Sequence, residues 1–399
     1  MVSVAQRIQQ FNKGRLPDVL AKKYAAMGED VFRFFRGSNH LFYEDLHRQA
    51  LFRKYPATWI CGDLHIENYG SYRGDNKLVY FDINDFDEAM LAPFTWDAAR
   101  MAASIVIACN AVGVNDSDAA MLCEIFLNAY LETLARGKSR HIEKETARGL
   151  LETFLCKVAT RKTKDIVKQR CTKDASALKT DDVKQLALDE KEKTVLLEQI
   201  NKWIQQTTDG RYAFHAKDVA FRISGTGSLG QKRYVFLTER NDGKPVLLDM
   251  KQSMPPTGLQ WIAAAQPAWK GDAERITWAQ SFMQDEPPAL LTPYFYKKQW
   301  YVLKALQPTE DKINYRLIAA DMRAMSALMN EMGILAASAH LRGAGRKGAA
   351  TADELMRAAA TRQLHTQLYD AATGYAQQMG AYYDVFREEQ SNGFFETKK

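Results

Sequence analysis

The property that most constrains this chain is the separation of its helical and strand-like stretches. From Thr95 to about Asn201 apolar residues recur at an almost wholly helical spacing. Near Thr207-Thr208-Asp209-Gly210 the character changes, and β-type runs follow at Val219–Ser224, Arg233–Thr238 and Val246–Met250. Asn241-Asp242-Gly243, between the last two, is a strong hairpin signal. Residues 1–55 read as amphipathic helix, with Pro17 suited to a helix start. Short strands are expected at 57–61 and 77–83, and Thr95 is a plausible N-cap for a helix Trp96–Ala111. Beyond the β-rich part, helical stretches are expected near 257–265 and 271–284, and strands at Ala289–Tyr296 and Trp300–Ala305. Helices are then expected at Tyr315–Arg342 and Ala352–Glu389. The expectation is an α+β fold in three stretches: helical 1–207, β-rich 208–310 and helical 311–399.

Composition narrows the function classes. The 399 residues can hold a sizeable core, and a net charge of +6 permits an anionic ligand without pointing to nucleic acid. Cys61, Cys109, Cys123, Cys156 and Cys171 form no C-x-x-C pair and are odd in number, so they read as free thiols in a reducing compartment. The first residues lack a signal-peptide apolar core, and the longest apolar stretch, Met101–Val114, is too short and interrupted to span a bilayer. A cytoplasmic location and no membrane partner are expected.

Two groups of residues carry chemistry, the first of them spread over two segments. Cys61-Gly62-Asp63-Leu64-His65-Ile66-Glu67-Asn68 and Asn84-Asp85-Phe86-Asp87-Glu88 bring an Asp, an Asn and further carboxylates into two closely spaced loops. Phosphoryl transfer uses such groups: one carboxylate for the attacking hydroxyl, an amide oxygen and another carboxylate for Mg²⁺, a hard cation that prefers oxygen. The second group is Gly225-Thr226-Gly227-Ser228-Leu229-Gly230. A dinucleotide fold needs a helix directly after such glycines. Here Gln231-Lys232-Arg233-Tyr234-Val235-Phe236-Leu237 reads as a strand, giving strand-loop-strand, and Val246–Met250 then delivers Lys251.

These residues resemble the protein-kinase-like superfamily, especially its aminoglycoside and choline kinase-like phosphotransferases. The resemblance implies a two-lobe fold, ATP and Mg²⁺ as cofactors, Asp63 as catalytic residue, and Asn68 with Asp85 as metal ligands. Gly225, Thr226, Gly227, Ser228, Gly230 and Lys251 would bind nucleotide, with Glu274 as the acidic partner of Lys251. Asp82 also fits the metal position. The interval from Asp85 to Asp97 in Trp96-Asp97-Ala98-Ala99 favours Asp85, and Cys61 stands where the superfamily usually has His. A closer likeness is to an uncharacterised bacterial family of domains of unknown function, carried by Phe34-Phe35-Arg36-Gly37-Ser38, the Cys-Gly-Asp-Leu-His loop, Asn84–Glu88 and the glycine loop. Kinases place the glycine loop and lysine before the catalytic loop. Here they follow it, so the resemblance implies a circular permutation in which 211–399 read before 1–207 restores the usual order. Gly333–His340 would then be the helix preceding the catalytic loop.

The implied activity is phosphoryl transfer from ATP to a hydroxyl of an unidentified small molecule or protein. AMP transfer and a catalytically silent nucleotide-binding regulator are the alternatives. Asp97 is expected to hydrogen-bond the catalytic-loop backbone and His65 to brace the loop. Arg36 is expected either to contact phosphate or to pair with a loop carboxylate. The basic stretch 157–173 reads as a solvated helix.

Overall fold

A computed structural model describes residues 2–15, 17–181, 184–223 and 231–395, without the side chains of 17–19. Four helices come first: α1 (Val4–Phe11), α2 (Pro17–Met27), α3 (Val31–Gly37) and α4 (Asn39–Leu46). Pro17 opens α2, where its missing N–H is no loss. Asp30 caps α3 by accepting from Arg33 N at 2.7 Å. Phe32, Phe34 and Phe35 are fully buried, so the aromatic run is core. Next come β1 (Ala57–Ile60), β2 (Tyr69–Arg73), β3 (Val79–Ile83) and β4 (Met90–Pro93), paired antiparallel as β1 with β4 and β2 with β3. The sequence reading missed β2 and β4, whose Gly70 and Pro93 weaken any strand signal.

Helices α5 (Thr95–Ala111), α6 (Asp116–Arg136), α7 (Gly149–Ala159) and α8 (Thr163–Arg170) follow, then β5 (Gln185–Leu186) and α9 (Glu190–Gln206). Thr95 is not the cap of α5. It lies within the first turn behind Phe94, and its hydroxyl donates to Leu51 O at 2.7 Å, tying the helix to the preceding loop.

The β-rich part contains β6 (Phe214–Arg222), β7 (Arg233–Arg240), β8 (Pro245–Gln252), α10 (Asp272–Met283), β9 (Thr292–Tyr296) and β10 (Gln299–Ala305). With β5 they form an antiparallel sheet in the order β5-β6-β7-β8-β10-β9. Period-two alternation places Tyr234, Phe236, Leu248 and Met250 in one core with Leu196 and Ile200 of α9. Val235, Leu237 and Leu247 join Ile166 and Val167 of α8 in another. The helix expected near 257–265 is only a single 3₁₀ turn, Leu259–Trp261, because Pro255-Pro256 and Gly258 interrupt the segment.

The chain ends with α11 (Met322–Gly343), α12 (Ala352–Ala359) and α13 (Arg362–Ser391). Asp321 accepts from Arg323 N and Ala324 N, which sets the start of α11 later than expected. The single helix expected after residue 352 is split at Ala360-Thr361. Helix α11 packs on α6, α13 packs on α5, and α10 touches β1 and α11 as well as β9 and β10, joining the sheet to the helices. None of the described helices is long and apolar enough to cross a membrane.

Candidate active site

Strand β1 runs straight into Cys61-Gly62-Asp63. Gly62 has φ +79°, and a Cβ there would lie 2.0 Å from Glu88 O, so only glycine fits this close approach of the two loops. Asp97, on the first turn of α5, accepts from Cys61 N at 2.8 Å and Gly62 N at 3.0 Å. Its carboxylate also meets His340 Nε2 at 3.3 Å, while Tyr130 OH lies 2.7 Å from His340 Nδ1. The expected bracing by Asp97 is therefore present. One helical turn on, Arg100 holds Asp63 Oδ1 through Nε at 2.7 Å and Nη2 at 2.5 Å. Arg100 is 1% exposed, and its guanidinium lies 4.1 Å from the Phe35 ring centroid. Burial pushes the Asp63 carboxyl up and outweighs the opposing Arg100 and Arg36. The sequence reading did not include Arg100. Its i, i+3 offset from Asp97, which puts both on one face of α5, was the available signal.

Asn68 stitches the two loops together. Its Nδ2 donates to Asp63 O at 3.1 Å and Asp85 O at 3.3 Å, and its buried Oδ1 has no hydrogen-bond partner among the described residues. Asp85 keeps solvent access through the cavity although protein crowds it. Burial would raise its carboxyl, but Lys251 and Lys312 prevail and hold it below the usual value. Asp82 is placed differently. It is buried against Arg342 at 3.0 Å and lies away from the cavity, with burial lifting it to about 6. Among the described residues no group of three His, Cys, Asp or Glu forms a complete metal cage. An orphaned amide oxygen on the residue that bonds the Asp85 backbone, with the Asp85 carboxylate on the cavity, suits Mg²⁺, which takes one or two protein oxygens and fills its shell with phosphates and water.

Lys251 lies on β8, paired in register with Arg233 of β7 and Val302 of β10. Its ammonium forms an ion pair with Asp87. Burial opposes that charge, yet Asp87 and then Asp85 outweigh it and keep Lys251 protonated. The expectation for Glu274 is corrected here. Glu274 accepts from Lys270 N at 2.6 Å at the start of α10, so its carboxylate is engaged in capping its own helix. What α10 sends toward the site is the fully buried Arg275. It donates to Asp87 O at 2.9 Å, Met254 O at 2.8 Å and Ala89 O, and pairs with Asp272 at 3.0 Å. Asp249, one strand residue from Met250, is clamped by Arg222 at 2.6 Å and Arg233 at 2.5 Å. Burial disfavours its charge, but the two guanidinium groups hold the carboxyl far below its usual range. Gly225, Thr226, Gly227, Ser228 and Gly230 lie outside the described residues; Gln231, directly after them, lines the cavity.

That cavity measures about 310 Å³. Asp63, Asp85, Asp87 and Glu88 line it from the two loops, Arg233, Lys251 and Lys304 from the sheet, and Arg15 and Lys23 from the amino-terminal helices. Neither Asn68 nor Glu274 is part of this lining. Arg36 pairs with Glu67, the second of its two expected roles, while still lining the cavity. His65 Nδ1 accepts from Glu67 N at 3.2 Å, and burial, aided by Arg36, keeps the ring neutral, as bracing requires. Cys61 is fully buried. Burial and the nearby Asp97 hold its thiol protonated, so it cannot act as a nucleophile here.

Across residues 15–389 the sequence matches the family described as uncharacterized protein conserved in bacteria (DUF2252), and the chain belongs to that family. No curated protein and no solved structure matches it.

Proposed function

We propose that this member of the bacterial family is an ATP- and Mg²⁺-dependent phosphotransferase acting on a hydroxyl of a small molecule or protein, with a circularly permuted protein-kinase-like arrangement. One observation carries the reading. Asp63 and Asp85 of the first hundred residues share a cavity with Lys251 of the sheet, and Lys251 pairs directly with Asp87 of the Asp85 loop. The placement of Gly333–His340 supports the permuted order: Thr58 Oγ1 of β1 donates to His340 O at 3.3 Å, and His340 meets Asp97 under the catalytic loop.

In this reading Lys251 leaves Asp87 for the phosphate oxygens of ATP, and the glycine loop covers them. Asn68 Oδ1 and Asp85 would hold Mg²⁺, which supplies charge neutralisation at the phosphates. Arg100 fixes Asp63 so that its free oxygen orients the acceptor hydroxyl. The hydroxyl oxygen forms a bond to the γ-phosphorus as the bond to the β–γ bridging oxygen breaks. The proton passes to Asp63, and ADP leaves with the bridging electrons. Alignment and charge complementarity supply most of the acceleration.

Mg-ATP binding by calorimetry, with ADP release as a second readout, tests this. Lys251→Met should weaken Mg-ATP binding about 10-fold or more. Asp63→Asn should keep binding within about 2-fold and lower turnover by about 10³-fold. Undiminished turnover in Asp63→Asn, or no Mg-ATP binding by the unaltered protein, overturns the assignment.

A further inference from the structure

The amino-terminal helices line the cavity with charge that the phosphoryl-transfer machinery does not use. Arg15, in the loop between α1 and α2, lines the cavity, and its guanidinium has no hydrogen bond or ion pair to any described residue. Lys23 on α2 is 3% exposed, and its ammonium has a single hydrogen-bond partner among the described residues, the neutral Asn12 Oδ1 at 3.1 Å. Phe11 joins them. Its ring lies 5.4 Å from the Arg15 guanidinium and 5.9 Å from Lys23 Nζ, and stacks on His40 at 4.0 Å. Asn39, 7% exposed, also lines the cavity, and its Oδ1 is a buried acceptor without a partner among the described residues. A buried ammonium without an ion pair, beside a guanidinium and with Glu88 and Asp63 acting on it only at a distance, is costly unless an anion completes it. A second hollow of about 670 Å³ adjoins this wall, sharing Phe11, Arg15, Glu88 and Thr257 with the main cavity, so there is room for a ligand body.

We propose that Arg15, Lys23 and Asn39 form the acceptor subsite, and that the acceptor carries a carboxylate or phosphate group besides the hydroxyl that is phosphorylated. The inference rests on the phosphotransferase reading for the word acceptor, and on the cavity wall for the anion. Lys251 and Lys312 flank Asp85 at the nucleotide side. Arg15 and Lys23 both feel the charge of Glu88, and Lys23 also feels that of Asp63. Asn39 Nδ2 is held by Thr257 Oγ1 at 3.2 Å, which leaves Oδ1 to accept from the ligand's hydroxyl. Burial, reinforced by Arg15, lowers Lys23 to about 7, and a bound oxyanion restores its charge.

Sulfate is the first probe, titrated calorimetrically into the full chain with Mg²⁺ and a non-hydrolysable ATP analogue at saturation. The unaltered protein should bind sulfate. Arg15→Gln and Lys23→Met should each weaken it about 10-fold while leaving analogue affinity within about 2-fold. The Arg15 guanidinium has no hydrogen bond or ion pair to a described residue to lose, only its contact with the Phe11 ring, so its variant should remain folded. Glycerol 3-phosphate and glycerate, against glycerol as the neutral control, then compete with sulfate: displacement by the phosphate ester alone, or by both, identifies the anion. Absent sulfate binding, binding that survives both substitutions, or equal displacement by glycerol overturns the subsite. Loss of analogue binding in Arg15→Gln does so too, since it would put Arg15 in the nucleotide site. Failure of the analogue to bind, with sulfate still held through Arg15 and Lys23, instead sinks the phosphotransferase reading and leaves the anion site standing.

Discussion

Lys23 shows how one buried side chain ties stability to pH. Among the described residues Arg15, Glu88, Asp63 and His40 are the titratable or charged groups that face it, and Asn12 is its only hydrogen-bond partner. Its pKa falls to about 7, first by burial and then by Arg15. An unfolded chain keeps that proton until about 10.4. Between those values the unfolded state binds more protons than the folded one, so this group's effect makes the fold more stable as pH rises from 7 toward 10. Lys23→Met should abolish that slope and stabilise the protein at pH 7 by roughly 3 kcal/mol, read from urea unfolding at several pH values. A Lys23→Met protein that shows the same pH slope as the unaltered one would mean the ammonium is solvated. At this scale the two cavity loops were legible because Gly62-Asp63 and Asn84-Asp85 announce their turns locally. Arg100 and Arg275 were not, since a buried arginine is recognised only by the carboxylate or carbonyls it meets.

At the scale of elements, helix packing positions the loop chemistry. Helix α11 lies against α6 through Gly333, where a Cβ would come within 2.6 Å of Phe126 O. The same helix carries His340 to Asp97 and Arg342 to Asp82. Gly333→Ala should force α11 away from α6 and cost about 1–3 kcal/mol in urea unfolding, since the obstacle is backbone and cannot rotate aside. Unchanged stability would show that the two helices can separate freely. Long periodic helices such as α5 and α6 were readable from spacing, and the hairpin from Asn241-Asp242-Gly243. The short β2 and β4 were not, because four or five residues with Gly or Pro carry too little pattern. Likewise the basic stretch beyond Lys157 is less solvated than composition implied: Arg161 pairs with Asp311 at 2.5 Å, and Arg170 reaches Gln185 at 2.9 Å.

For the whole molecule, the two ends of the described chain meet. The rings of Tyr24 and Phe395 lie 4.5 Å apart, and Arg7 Nη1 donates to Tyr382 OH at 3.2 Å. A short linker joining the ends, with new termini opened near Thr208, should therefore give a protein that folds and keeps the Mg-ATP binding proposed for the site, because permutation changes only loop closure. A permutant that folds but loses Mg-ATP binding would show that segment order matters to the site. The local chemistry was set by the chain itself: turns, periodicity and the bond from Asn68 to Asp63 O depend on neighbours a few residues away. Packing alone decided that Lys251 answers to Asp87 and not to Glu274, that Asp85 and not Asp82 faces the cavity, and that Arg15 and Lys23 close its far wall. Those outcomes depend on which surfaces are buried together, and burial sets both who can pair and what each charge costs.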